Sequence, residues 1–117
     1  MKKILVVDDD QDILEIVELI LLKNGYNVKT HTTGVGLDEV TKYYKPDLIL
    51  LDVRLPGGKL GTELCMELKQ TISTPIILFS AELSIPFSIF CADDFIKKPF
   101  EVKSLLTTIN SHLQHAA

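Results

Sequence analysis

Four short apolar runs in this chain each end on residues that carry a carboxylate, a hydroxyl or an ammonium group. The runs are Ile4–Val7 before Asp8 and Asp9, Leu48–Leu51 before Asp52, Ile76–Phe79 before Ser80, and Phe95–Lys97 before Lys98. If the runs are parallel strands of one sheet, these polar residues share its carboxyl edge, where open α/β sheets bind ligands. Carboxylates, a hydroxyl and a lysine in one pocket suit a divalent cation and a phosphoryl group. The pattern therefore predicts such a site.

Strand-like and helix-like segments alternate five times, which is typical of an α/β fold with helices on both faces of a parallel sheet. A polar, edge-like second strand is expected at Tyr26–Thr30. The residues expected to face the core are Ile13, Ile16, Val17, Ile20 and Leu21 in the first helix, Leu37, Val40, Thr41 and Tyr44 in the second, Leu64, Cys65, Leu68 and Ile72 in the third, and Val102, Leu105, Leu106, Ile109 and Leu113 in the last. Five such units with right-handed crossovers favour the doubly wound, flavodoxin-like strand order 2-1-3-4-5.

The bulk properties of the chain limit its class. Its 117 residues suit one domain, expected to span residues 1–117. The longest aliphatic stretches have four residues, so we expect no membrane-spanning helix. A net charge of −4 without a basic run argues against nucleic-acid binding. Cys65 and Cys91 form no metal or redox motif and are expected to be reduced thiols in a cytoplasmic protein.

The motifs VVDD, LLDVRLP, FSA and KKPF, in this order, resemble the receiver domain of two-component response regulators, and the resemblance covers nearly the whole chain. It implies a cytoplasmic signalling domain that is not a conventional enzyme. It also implies partners: a sensor histidine kinase or phosphotransfer protein upstream, and an unidentified protein downstream. Carried over by motif, the implied roles are an acidic pair at Asp8 and Asp9, phosphorylation at Asp52, a switch hydroxyl at Ser80, a switch aromatic at Phe95 and a phosphoryl-contacting lysine at Lys98.

The charge of the predicted pocket indicates a metal. Three carboxylates and one lysine leave an excess of negative charge, which a hard divalent cation with oxygen ligands would neutralise. We therefore expect Mg²⁺, with Asp9 and Asp52 as direct ligands and Asp8 bound directly or through water. By resemblance, the backbone carbonyl of Arg54 is a further ligand, and the Lys98–Pro99 peptide bond is cis.

Two segments depart from the family pattern. The loop Pro56–Gly61 is one residue longer than usual and lacks the usual acidic position. The segment between Ser80 and Lys98 is a few residues shorter than usual and contains Pro86, so the fourth of the family's five helices should be short, irregular or absent. Its apolar part, Glu82–Phe90, is expected to form a surface for a partner or for self-association.

Other interpretations stay open at the sequence level. Asp8, Asp9 and Asp10 could merely cap the first helix, and Asp52 could simply end a strand. The same fold could also serve as a pseudo-receiver, a protein-interaction module that does not respond to phosphorylation. A flavodoxin-like electron carrier is disfavoured, because the acidic residues after the first strand would repel a flavin phosphate. A stand-alone receiver is the leading expectation, although the chain could be a fragment of a longer regulator.

Overall fold

Five parallel strands form one sheet in the order β2-β1-β3-β4-β5, as the sequence predicts. The computed structural model describes residues 1–56, 60–81 and 92–113. The strands are β1 (Lys3–Val7), β2 (Asn27–His31), β3 (Leu48–Asp52), β4 (Ile76–Ser80) and β5 (Asp94–Lys97). The helices within the described ranges are α1 (Gln11–Lys23), α2 (Leu37–Tyr44), α3 (Gly61–Lys69) and α4 (Val102–Leu113).

Two expectations fall on parts of the chain outside the described residues. The short or irregular helix after β4, with the surface proposed for Glu82–Phe90, lies in residues 82–91. The glycine pair of the lengthened loop lies in residues 57–59. Both remain sequence predictions. Of the helices in the described part of the chain, none combines the length and the apolar character needed to cross a membrane.

The register of the sheet brings the ends of its inner strands together. Val7 of β1 pairs with Leu51 of β3, so the residues that follow them, Asp8 and Asp52, lie side by side at the carboxyl edge of the sheet. On the other side of β3, Asp52 pairs with Phe79 of β4. The polar residues of the four sequence runs therefore gather at one edge of the sheet, as the sequence predicts.

Apolar side chains cover both faces of the sheet. Strands β1, β3 and β4 are almost wholly buried, which explains why their sequences are continuous aliphatic runs and do not alternate. One layer packs against α1 and α4 through Leu14, Val17, Leu21, Leu105, Ile109 and Leu113. The opposite layer packs against α2 and α3 through Leu37, Leu64, Cys65 and Leu68.

The inward face of α1 differs from the sequence prediction. Val17 and Leu21 are buried as expected, but Leu14 is buried in place of Ile16, which is 51% exposed. Apolar residues lie around most of this helix, so two neighbouring stripes satisfy the helical period, and only packing against the sheet selects one. Ile13 and Ile20 flank the buried stripe and are partly buried.

Smaller differences occur at the ends of other elements. Val102 opens α4 and is 48% exposed, although it was expected to face the core. A residue in the first turn of a helix can project past the edge of the sheet that the rest of the helix covers. The second strand begins at Asn27, one residue later than predicted, and α3 ends at Lys69, while Ile72 still packs against the core.

Gly61, at the start of α3, touches the backbone that follows β3. Its N–H donates to the carbonyl of Val53 at 2.6 Å. A Cβ atom at this position would overlap the carbonyl oxygen of Asp52 and would lie 2.8 Å from the Cα of Val53. Because these neighbours are backbone atoms, they cannot rotate away. Glycine at position 61 therefore lets α3 begin directly beside the end of β3.

We expect Gly61→Ala to lower the free energy of unfolding by about 2–3 kcal/mol, as overpacking of a close contact does. Ordinarily, glycine to alanine in a helix is favourable by roughly 0.5–1 kcal/mol. Gly34→Ala is the matched control, because its Cβ would meet side-chain atoms of Leu64 and no backbone atom, with Cδ1 nearest at 2.7 Å. Urea denaturation should show the smaller loss for Gly34→Ala. Equal stability of the Gly61→Ala variant and the unchanged chain would contradict the close approach.

Candidate metal and phosphoryl site

Three carboxylates meet at the carboxyl edge of the sheet. One oxygen from each of Asp8, Asp9 and Asp52 lies within 4.8 Å of the other two. Asp8 is fully buried and Asp52 is 6% exposed, whereas Asp9 faces solvent. The group thus has a buried floor and an open side, and its ligand atoms are hard oxygens. This donor set fits Mg²⁺, which takes oxygen ligands and keeps several waters.

The three consecutive acidic residues after β1 have different roles. The Asp10 side chain caps α1, accepting from the N–H groups of Asp12 at 3.0 Å and Ile13 at 3.4 Å. Asp8 accepts from the N–H of Asp10 at 2.9 Å through one oxygen, and its other oxygen is directed to a lysine. Capping therefore accounts for Asp10 but not for Asp8 or Asp9.

Lys98 supplies the positive charge of the pocket. Its Nζ lies 2.5 Å from Oδ2 of Asp8 and 3.5 Å from Oδ2 of Asp52. The backbone N–H of Lys98 donates to the carbonyl of Ser80 at 2.9 Å, which fixes the lysine beside the end of β4. The Lys98–Pro99 peptide bond is cis, as the resemblance implied. Lys98 therefore links the ends of β1, β3 and β4.

An aromatic ring lies beneath this lysine. The Nζ of Lys98 is 4.7 Å from the ring centroid of Phe79, close enough for a cation–π interaction. Phe79 in turn packs against Phe100, with ring centroids 5.3 Å apart. Sequence reasoning placed Phe79 only as a strand residue. No local pattern signals this contact, because the ring belongs to β4 and the ammonium group to the residue that follows β5.

Burial, followed by the negative charge of Asp8, raises the pKa of the Asp52 carboxyl from its ordinary value of 3.8 to about 6. The ammonium of Lys98 and the N–H of Arg54, which donates to Oδ1 at 3.4 Å, oppose this shift. The carboxylate of Asp52 is therefore ionised at neutral pH, but at a cost in stability. A bound cation would offset that cost.

Ser80 and Phe95, the two residues with predicted switching roles, lie in different surroundings. Ser80 ends β4 and is 3% exposed, one residue beyond the partner of Asp52 in the register. Phe95 of β5 is partly buried against the layer that packs on α2 and α3. The structure thus brings Asp8, Asp9, Asp52 and Lys98 into contact range, with Ser80 at the same edge. The switching roles of Ser80 and Phe95 remain predictions.

The raised pKa of Asp52 predicts a specific pH dependence of stability. Between pH 3.8 and about 6, the native state holds a proton that the unfolded chain has lost, so unfolding becomes easier as pH rises through this window. Asp52→Asn removes this loss, and without divalent cations it should stabilise the chain at pH 7.5 by about 2 kcal/mol. Urea denaturation from about pH 4 to 7.5 measures the difference.

The solvent-facing Asp9→Asn variant is the control for that experiment. Because Asp9 is exposed, its neutralisation should change the free energy of unfolding much less than that of Asp52. Parallel pH profiles for Asp52→Asn and the unchanged chain would contradict the electrostatic cost assigned to Asp52.

Comparisons with known proteins agree on one family. The family model of the response regulator receiver domain matches residues 4–110. The response regulator ArlR of Staphylococcus aureus (strain Mu50 / ATCC 700699) is 39% identical over 119 residues, which cover 97% of this chain and 53% of ArlR. The chain thus spans about half the length of the curated relatives that it matches.

Solved structures show the same likeness. The BeF3-activated N-terminal receiver domain of Klebsiella pneumoniae RstA has a TM-score of 0.89 and 34% identity, covering 96% of this chain and 98% of that one. Chemotaxis protein CheY4 of Vibrio cholerae has a TM-score of 0.85 and 29% identity, covering 97% and 99%. The motifs, the strand order, the pocket and the relatives all indicate the same family, and the chain belongs to the response regulator receiver domains of two-component signalling.

Proposed function

We propose that residues 1–117 act as a phosphoacceptor unit in which Asp52 receives a phosphoryl group from a phosphohistidine. The donor is a sensor histidine kinase or a phosphotransfer protein, and phosphorylation changes the affinity for a downstream protein. The observation that carries this proposal is the buried pair of Asp8 and Asp52, bridged by Lys98, with Asp9 at the open side. A domain that only bound partners through its surface would not need two adjacent buried carboxylates.

The proposed transfer uses the ionised form of Asp52. One carboxylate oxygen attacks phosphorus, the bond from phosphorus to the donor imidazole nitrogen breaks, and the imidazole leaves with the electron pair. A pKa of about 6 keeps Asp52 ionised at neutral pH while making its oxygen more basic than that of an ordinary aspartate. Bound Mg²⁺, held by Asp8, Asp9, Asp52 and the carbonyl of Arg54, would supply positive charge to the carboxylates and the phosphoryl oxygens.

Lys98 is placed to stabilise the charge of the transferred group. Its ammonium already lies 3.5 Å from Asp52, so oxygens added to that carboxylate come within its reach. Preorganised charge of this kind provides most of the catalysis in phosphoryl transfer. The chain promotes its own modification by these contacts and needs no further substrate pocket.

The signal would begin with the new oxygens on Asp52. The phosphoryl group carries roughly 1.5–2 negative charges in place of the single charge of the carboxylate, and it brings strong hydrogen-bond acceptors. We propose that the hydroxyl of Ser80 donates to one of them and that Phe95 then repacks on β5. Lys98 connects Ser80 with the acidic pocket, because its backbone N–H is hydrogen-bonded to the carbonyl of Ser80 and its ammonium contacts Asp8.

The function is tested by phosphorylation with a small phosphodonor and Mg²⁺, followed by intact mass. We expect one added phosphoryl group on the unchanged chain and none on Asp52→Asn. Asp12→Asn, an exposed position on α1, is the matched control and should be modified normally. Undiminished phosphorylation of Asp52→Asn would refute the assignment. A folded chain that is never modified would instead support the pseudo-receiver alternative.

Metal binding gives a separate prediction. Mg²⁺ should raise the midpoint of thermal unfolding at pH 7.5, because it binds the native carboxylates and not the unfolded chain. Asp9→Asn should weaken this effect without unfolding the protein, since Asp9 is exposed. The affinity for Mg²⁺ should also fall below a pH of about 6, where Asp52 takes up a proton. An equal response to Mg²⁺ in Asp9→Asn would exclude Asp9 as a ligand.

A further inference from the structure

The hydroxyl of Thr33 joins the turn after β2 to the loop after β3. It donates to the carbonyl of Pro56 at 3.0 Å and accepts from the N–H of Val35 at 3.1 Å. The N–H of Gly34 donates to the same Pro56 oxygen at 3.3 Å. The ring of His31 also contacts the carbonyl of Val35 at 2.9 Å and so closes the turn. One carbonyl of the β3–α3 loop is thus held by two donors from another loop.

The segment from Val53 to Pro56 is anchored at both ends by these contacts. At its start, the carbonyl of Val53 accepts from Gly61 at 2.6 Å, and the N–H of Arg54 donates to Asp52 at 3.4 Å. Leu55 packs against the apolar layer below. At its end, the Pro56 carbonyl is fixed by Thr33 and Gly34. The direction of the Arg54 carbonyl, which lies between these anchors, depends on both of them.

We infer that Thr33 is a positioning residue for the divalent-cation site. Its hydroxyl holds Pro56 so that the Arg54 carbonyl and the Asp52 carboxylate keep the spacing that Mg²⁺ requires. Mg²⁺ demands near-ideal octahedral geometry, so a small rotation of one ligand lowers its affinity. This inference rests on the proposed function, because it assumes a cation at the acidic cluster.

The chemistry of the contact explains why the position needs a hydroxyl. Thr33 donates to one backbone group and accepts from another with a single atom, which serine can also do and valine cannot. Valine has the shape of threonine, so Thr33→Val removes both hydrogen bonds without opening a cavity. The neighbouring Thr32 is exposed, and Thr32→Val makes the same chemical change in the same turn. It is therefore the matched control.

The test is a calorimetric titration of each variant with Mg²⁺ alone. We expect Thr33→Val to raise the dissociation constant for Mg²⁺ by about tenfold, the lower end of the effect of losing an outer-shell hydrogen bond. Thr33→Ser and Thr32→Val should bind as the unchanged chain does. With a small phosphodonor, Thr33→Val should react slowly at low Mg²⁺ and approach the normal rate at saturating Mg²⁺. If Thr33 only stabilised the fold, the reaction rate of Thr33→Val would not recover at saturating Mg²⁺.

Three outcomes would overturn the inference: unchanged Mg²⁺ affinity in Thr33→Val, with or without a loss of stability, an equal loss of affinity in Thr32→Val, or failure of Thr33→Ser to retain binding. Should Thr33→Val not fold, Thr33→Ala tests the same hydroxyl and is expected to show the same loss. If the unchanged chain binds no Mg²⁺, the proposed function falls together with this inference. If it binds Mg²⁺ and the Thr33 variants bind equally well, only the role of Thr33 falls.

Discussion

Two carboxylates held side by side out of water are the interaction on which the rest of this structure depends. Asp8 and Asp52 repel each other, and burial removes the solvent that would screen them. Within the described residues, the charge placed against both is the ammonium of Lys98. Removing the ammonium of Lys98 would leave both buried carboxylates uncompensated, which is strongly destabilising. The pocket is therefore poised to take up positive charge, whether a proton on Asp52 or a divalent cation.

The packing of the rest of the fold must supply enough stability to offset that repulsion. The three central strands carry aliphatic side chains on both faces, and helices cover both layers. Parallel pairing places all strand ends at the same edge, so residues as distant as Asp8 and Lys98 meet without a special loop. Gly61 allows α3 to start against the backbone after β3, which brings the start of this helix beside Asp52. The repulsion between the carboxylates is thus confined to one edge of a well-packed sheet.

Much of this arrangement could be predicted from the sequence, because a buried parallel strand and the polar residue that ends it are both local patterns. The strand order and the meeting of Asp8, Asp9, Asp52 and Lys98 follow from those patterns and from the handedness of crossovers. The sequence could not separate Asp10, a helix cap, from its two acidic neighbours, since all three suit either role. It misassigned Ile16, because α1 is apolar on several sides. The hydrogen bond between Thr33 and Pro56 and the contact of Lys98 with the ring of Phe79 join segments that are distant in sequence. A periodic sequence pattern does not reveal such contacts.

The same excess of negative charge connects stability, metal binding and signalling. In the proposed function, a proton, a cation and a phosphoryl group would all act on Asp52. Each would change the balance of charge around Lys98, whose ammonium lies 2.5 Å from Asp8 and 3.5 Å from Asp52. A phosphoryl group would extend new oxygens from Asp52 and draw the ammonium away from Asp8. Since the backbone N–H of Lys98 is hydrogen-bonded to the carbonyl of Ser80, a shift of this lysine would act on the end of β4 and the start of the chain beyond β5. Under this proposal, the electrostatic cost of the buried pair would allow a change at one carboxylate to reach the end of β4.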